Sequence, residues 1–381
     1  MKNLGIYVHI PFCKKKCDYC DFISYTQNEE IQNKYVNCLL KTIEQSTSKL
    51  KLDNYIVNTI YFGGGTPSYI NSKNIIEIIK KIQAKFQIAE SPEITIEINP
   101  GTISEDKLLD YKKCGINRIS IGCQAIQDDL LKMLGRIHNY EEFLDTYKLV
   151  QKIGFENINV DLMLGLPNQT LEDIENSVKE ILKLNPNHLS VYSLIIEEGT
   201  RIEKRISKGE LILPKEEIER KMYKKVKEIL ESRNYKHYEI SNFAKKDFES
   251  KHNMACWNQE EYLGFGLASH SYFNNKRFSN IEVIDEFISN IENEEYDKNI
   301  TIHEVQSEEE KKKEYMLLGL RKLDGVSISK FEQKFRINPL FYFRFEISKL
   351  EEQGLIEVDL DNIKLTNKGL DFANLVWEEF V

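Results

Sequence analysis

Apolar residues in the first half of the chain follow two rhythms. Short β-branched or alternating runs cover Ile6 to Ile10, Val57 to Phe62, Glu93 to Ile98, Arg118 to Ile121, Asn157 to Leu164 and His188 to Leu194. Each reads as a strand. Between them the apolar positions recur at helical spacing: Glu29 to Lys51, Asn71 to Phe86, Ser104 to the stop at Gly115, Asp128 to Leu134 with Tyr140 to Ile153, and Leu171 to Leu184. Six strands with helices in all five gaps predict parallel βα units. A closed barrel of this kind needs eight. The expected fold is therefore an α/β open, partial (β/α)6 barrel.

The second half changes character. A charged helix over Pro214 to Ser232 precedes a strand over Tyr235 to Ile240, and residues Tyr296 to Ile302 read as a connector. Helical stretches over Ser307 to Leu323, Ile328 to Phe335 and Leu340 to Gln353 lead to a hairpin, Leu355 to Asp359 with Asn362 to Thr366. Helices followed by a hairpin predict a small α+β, winged-helix-like domain. Glu346, Glu351 and Glu352 on its third helix would repel phosphates, so a protein-contact or lid role is expected rather than DNA binding. The expected divisions are 1–210 for the barrel, 211–300 for an extension and 301–381 for the C-terminal domain.

Composition adds little except exclusions. With 381 residues, 41% hydrophobic and 30% charged, the chain has the make-up of a globular protein. Its net charge of −9 opposes nucleic-acid binding and docking on an anionic membrane. No apolar run reaches the roughly 18 residues of a membrane span. No targeting segment is evident either, and the cytoplasm is the expected location.

Cysteines change the picture. Cys13, Cys17 and Cys20 are spaced C-x3-C-x2-C in a loop at the end of the first strand, where Pro11 stops the ladder. One disulfide with a spare thiol is disfavoured in a reducing compartment. Zinc would need a distant fourth ligand such as His9. A three-thiolate iron–sulfur cube leaves one iron open to a further ligand, and this is the favoured reading. The other four cysteines (Cys38, Cys114, Cys123, Cys256) read as small buried hydrophobes. The cysteine loop, Gly63-Gly64-Gly65-Thr66-Pro67, Glu97 with Asn99, Gln124, Asp161 and Tyr192 all fall at or near C-terminal strand ends, where parallel α/β folds gather their ligands.

The stretch from Tyr7 to Cys20 resembles the radical S-adenosylmethionine (SAM) signature. Its Tyr-x-His-Ile-Pro-Phe-Cys opening resembles the coproporphyrinogen dehydrogenase and heme chaperone branch of that superfamily. The likeness continues through Asp161 to Thr170, Tyr238 to Phe243, His252-Asn253 with Trp257, and the C-terminal module. It implies a [4Fe-4S] cluster on Cys13, Cys17 and Cys20. It also implies SAM held by Gly64, Gly65, Thr66, Glu97, Gln124, Arg136 and Asp161, with Tyr7 and Tyr19 beside the cluster. In this scheme the reduced cluster cleaves SAM to methionine and a 5′-deoxyadenosyl radical. Lys14, Lys15 and Lys16 add positive potential that could receive an acidic electron donor such as flavodoxin or ferredoxin.

Three features separate the two branches. Phe22 stands where the dehydrogenase pattern has a further cysteine, and only twelve residues precede Cys13, too few for that enzyme's N-terminal extension. His252-Asn-x-x-x-Trp257 resembles the chaperone's H-N-x-x-Y-W motif, with Cys256 in place of its tyrosine. The resemblance thus implies a heme chaperone that delivers heme to client proteins, with His252 as the candidate iron ligand ahead of His270 and Tyr192. Oxidative decarboxylation of coproporphyrinogen III is the alternative activity. A plain heme carrier with a structural cluster is a third.

Overall fold

The computed structural model describes residues 1–381. Six parallel strands stand side by side in chain order: β1 (Lys2–Ile10), β2 (Tyr55–Gly64), β3 (Ile88–Ile98), β4 (Arg118–Gln124), β5 (Asn157–Leu164) and β6 (His188–Ser193). Helices α1 (Glu29–Lys49), α2 (Ser72–Lys85), α3 (Glu105–Lys113), α4 (Asp128–Met133), α5 (Tyr140–Lys152) and α6 (Leu171–Lys183) fill the five gaps. Their starts are fixed by local chemistry. Asn139 with Glu142, and Thr170 with Asp173, form reciprocal capping boxes on α5 and α6.

Strand alternation sorts the side chains into two worlds. Ile94, Ile96, Ile119, Ile121, Ile158, Val160, Leu189 and Val191 face outward into a core of 55 buried residues shared with the helices. The opposite face carries Thr59, Glu93, Thr95, Arg118, Ser120, Asn159 and His188, all buried and all polar. Side chains from β2 to β6 meet in one cavity, so the sheet is curled around a polar lumen. At about 4.8 Å per strand a flat sheet could not bring Tyr61 and Ser190 to one space.

Two further segments extend the sheet to 12 strands. Beyond β6 lie β7 (Lys236–Glu239) and β8 (Asn242–Ala244), after α7 (Arg201–Ser207) and α8 (Glu216–Glu231). Beyond β1 lie β9 (Tyr262–Phe265), β10 (His270–Phe273), β11 (Lys276–Asn280) and β12 (Ile300–Val305). The expected connector over Tyr296 to Ile302 is in fact a turn running into β12. A boundary at 301 would cut that edge strand. Between β8 and β9 comes α9 (Lys251–Trp257), and α10 (Ile284–Glu292) precedes β12.

The C-terminal unit has its own core of 15 buried residues. It comprises α11 (Glu308–Gly319), β13 (Val326–Ser327), α12 (Ile328–Phe335), α13 (Pro339–Tyr342), α14 (Arg344–Glu352), the hairpin β14 (Ile356–Val358) and β15 (Asn362–Leu365), then α15 (Asn367–Asp371) and α16 (Ala373–Glu378). The expected third helix is broken at Phe343, whose ring turns inward against Phe331 and Phe380. The first ends at Gly319, because the following residues bridge to the barrel extension: Ile240 N donates to Arg321 O and Leu323 N to Tyr238 O. The Arg321 guanidinium lies between the rings of Trp257 and Trp377, 4.4 and 4.8 Å from their centroids. No residue of this unit lines the lumen cavity, so the expected lid role finds no support in the packing. No helix is long and apolar enough to cross a membrane.

Candidate functional site

The cavity holds 550 Å³ and runs from the cysteine loop down into the lumen. Its lining includes Cys13, Cys17, Cys20, Tyr19, Gly64, Gly65, Thr66, Glu97, Gln124, Arg136 and Asp161. Of the residues expected at the SAM site only Tyr7 is missing.

The cysteine loop is pinned on both sides. Gly65 N donates to Ile10 O and Thr66 N to Phe12 O, both at 2.9 Å, so the end of β2 is stitched to the start of the loop. A Cβ on Gly65 would come within 2.9 Å of the Phe12 backbone and 3.0 Å of Cys13 Sγ. Gly64, at φ +110°, lies under the His9 ring, 2.6 Å from where a Cβ would be. The glycines therefore serve close packing against the loop, a need the bare triplet did not reveal. On the far side Asp18 receives Arg205 at 3.3 Å and its backbone N–H donates to Leu134 O.

All three thiols are unpaired. Burial pushes Cys13 up and Cys20 to about 11, so a metal bound to these two thiols would displace their protons. A cube takes one thiolate at each of three corners, which three thiols lining one cavity from one short loop can supply. His9 is also spoken for: its Nε2 donates to Ile23 O at 3.1 Å while Nδ1 accepts from the Tyr7 hydroxyl at 3.1 Å. Burial lowers it to about 4 and keeps it neutral. Tyr7, stacked on Tyr61, thus braces the loop from behind instead of lining the cavity.

Arg136 crosses from the rim toward the cluster loop. Its Nη2 donates to Asn99 Oδ1 at 2.6 Å and to Gly122 O at 2.9 Å, and Nη1 approaches Cys17 Sγ at 3.7 Å. Burial works against its charge, but Tyr19 and Cys17 raise its pKa above the ordinary value. Its Nε has no partner. A helix-end arginine left to solvent would show none of this. Gly122 leaves room for this cluster, since a Cβ there would come within 2.7 Å of Asn99 Oδ1 and displace the side chains that meet beside it. A break in register between Gly122 and Gln124 puts Gln124 at φ +70°, where its Oε1 accepts from the Tyr192 hydroxyl at 2.9 Å.

Glu97 and Asp161 sit deeper than expected. Asp161 lies three residues inside the end of β5, its Oδ1 accepting from Asn159 Nδ2 at 2.7 Å. Glu97 accepts from the Tyr61 hydroxyl at 2.8 Å. Burial, with the charge of Asp161 adding to it, raises Glu97 to about 7. Burial raises Asp161 as well. Below them Arg118, 2% exposed, contributes a buried cation whose Nε lacks a partner. Arg118, Asn159 and Ser190 line the cavity and were missed in the sequence, while Asn253, seen there only as part of the motif with His252, lines it too. The polar residue at every second position of β4 to β6 was the available signal.

His252 is not in this cavity. It stands on α9 at the opposite end of the lumen from the cysteines, its Nδ1 2.9 Å from Thr59 Oγ1 and its ring 5.2 Å from that of Tyr61. The Glu93 carboxylate accepts from the backbone N–H groups of Lys251 and His252, fixing the start of α9 in the barrel floor. Burial lowers His252 to about 4. The neutral ring suits iron, but it does not line the cavity. His270 lies elsewhere, stacked on His303 across the edge strands.

An open α/β barrel with three loop thiols at its mouth and buried charges below defines a radical SAM protein. The model of the radical SAM superfamily matches residues 7–181, and that of the HemN C-terminal domain matches residues 306–372. The chain is 37% identical over 376 residues to the heme chaperone HemW of Bacillus subtilis, covering 98% of each chain. It is 35% identical to HemW of Lactococcus lactis, over 100% of this chain and 98% of that one. It superimposes on coproporphyrinogen III oxidase (HemN) of Escherichia coli with a TM-score of 0.86 at 24% identity, covering 100% of this chain and 90% of the other. That last likeness concerns the fold. The chain belongs to the HemW family.

Proposed function

We propose that this protein is a heme chaperone that holds a [4Fe-4S] cluster and SAM at the barrel mouth and passes heme to client proteins. The observation that carries the chaperone reading is likeness over the full length to proteins named heme chaperone HemW. In this reading Cys13, Cys17 and Cys20 ligate the cluster. Gly64 to Thr66, Tyr19, Gln124, Arg136, Glu97 and Asp161 bind and orient SAM. Arg136 pairs with a carboxylate, and Glu97 or Asp161 accepts from an ammonium or ribose hydroxyl. On these three thiolates a bound cluster would supply single-electron chemistry toward the SAM sulfonium. The protein's own work is to orient, exclude water and hold charge in a low-dielectric lumen. Client, reductant (flavodoxin or ferredoxin) and cytoplasmic location complete the proposal.

The test uses anaerobically reconstituted protein. Loaded with heme and mixed with a heme-free client, it is expected to transfer the heme, followed by visible absorbance. Given SAM, reductant and coproporphyrinogen III, it is expected to yield no protoporphyrinogen. Formation of that product would replace the chaperone reading with the dehydrogenase one. Cys17→Ala is expected to lose most of the cluster iron and its absorbance, and full retention would refute the ligand assignment.

A further inference from the structure

Resting on the chaperone reading, the heme itself needs a place, and the lumen does not provide it. Glu97, Asp161, Arg118, Asn159 and Ser190 make the lumen polar, so an apolar macrocycle there would meet buried charges and amides that it cannot hydrogen-bond. His252 does not line the cavity, and its Nδ1 is taken by Thr59.

The rim is different. Phe22, Ile137 and Ile195 line the cavity entrance yet are 61%, 38% and 68% exposed. Large apolar side chains gathered at the entrance of a charged cavity are unusual for a surface with no partner. Beside them on the same rim stand Lys14, Lys15 and Lys16, none of which forms an ion pair with a carboxylate of this chain. Lys16 Nζ holds Phe22 O at 3.0 Å, joining the basic run to the apolar edge. Asp21 and Glu197 also face the rim, so the charge there is mixed and the lysines are its cationic part.

We propose that heme docks at the barrel mouth, its macrocycle against Phe22, Ile137 and Ile195 and its propionates toward Lys14, Lys15 and Lys16. A flat apolar disc carrying two carboxylates at one edge matches an apolar platform edged by unpaired ammonium groups. The same position would place the cargo directly over the cluster loop.

The experiment is heme titration of the full-length, cluster-loaded protein, with iron content and cluster absorbance as the control for folding. Phe22→Ser combined with Ile195→Ser alters only exposed side chains and is expected to weaken heme about tenfold or more. Lys14→Glu, Lys15→Glu and Lys16→Glu together are expected to weaken heme strongly but heme dimethyl ester, which lacks the propionate charge, much less. Unchanged affinity in both variants would overturn the dock, as would loss of heme in His252→Ala with the rim variants unaffected. Intact heme binding in the lysine variant, with slowed reduction by flavodoxin, would assign the lysines to the electron donor and overturn it too. If the unaltered protein fails to bind heme at all, the chaperone reading fails first, a distinct result.

Discussion

Glu97 keeps its carboxyl where ionisation is costly, and this gives the site a pH signature. Its folded value of about 7 lies above an ordinary carboxyl, so the folded state holds the proton more tightly than the unfolded chain. Stability from this group is full at pH below about 4.3 and is lost as pH rises toward about 7. A cationic ligand reverses the preference. SAM affinity is expected to rise with pH through about 7, and Glu97→Gln to bind more weakly with a flat profile, read by equilibrium dialysis at several pH values. Gly65→Ala tests the neighbouring close approach: its Cβ would press on Phe12 and Cys13 Sγ. The expected cost is about 1–3 kcal/mol with reduced cluster incorporation, measured by denaturation midpoint and iron content. Normal loading in that variant would show that the loop can shift. At this scale the cysteines and Arg136 were visible in the chain, because thiol spacing and motif likeness are local. That His9 and Tyr7 brace the loop was not visible, because it depends on the loop returning Ile23 O to the ring 14 residues further on.

The elements repeat that contrast. All six parallel strands announced themselves through β-branched runs, and the helices through spacing and caps, because each buries one side against the other. Direction was harder to read. A strand such as Arg118-Ile119-Ser120-Ile121 shows two faces, but a polar face turned to a lumen looks like one turned to water. The helix α9 escaped notice because seven residues are too few for a period. Its anchor is electrostatic: Glu93 accepts from two N–H groups at its start. Glu93→Gln is expected to destabilise the protein by about 0.5–2 kcal/mol, seen as a lowered denaturant midpoint. An unchanged midpoint would mean that the Ser250 cap and packing hold the start of the helix without Glu93.

At the scale of the whole molecule, two cores meet around one guanidinium. Arg321 reaches out of the C-terminal unit and is clasped by Trp257 of α9 and by its own unit's Trp377. Arg321→Ala is expected to cost about 1–2 kcal/mol at this junction. Paired with Trp257→Phe in a double-mutant cycle it should show coupling, whereas strict additivity would deny the clasp. The C-terminal module was legible as a separate body from its change of pattern. Its seat on α9 and β7 was not, since no local signal says which surface a second core will choose. These two indoles are the chain's entire tryptophan complement. Ultraviolet emission excited at the indole band therefore comes from one spot, beside the helix whose Asn253 looks into the cavity. Without any attached dye, the protein carries a built-in lamp that dims or shifts colour when its two halves part.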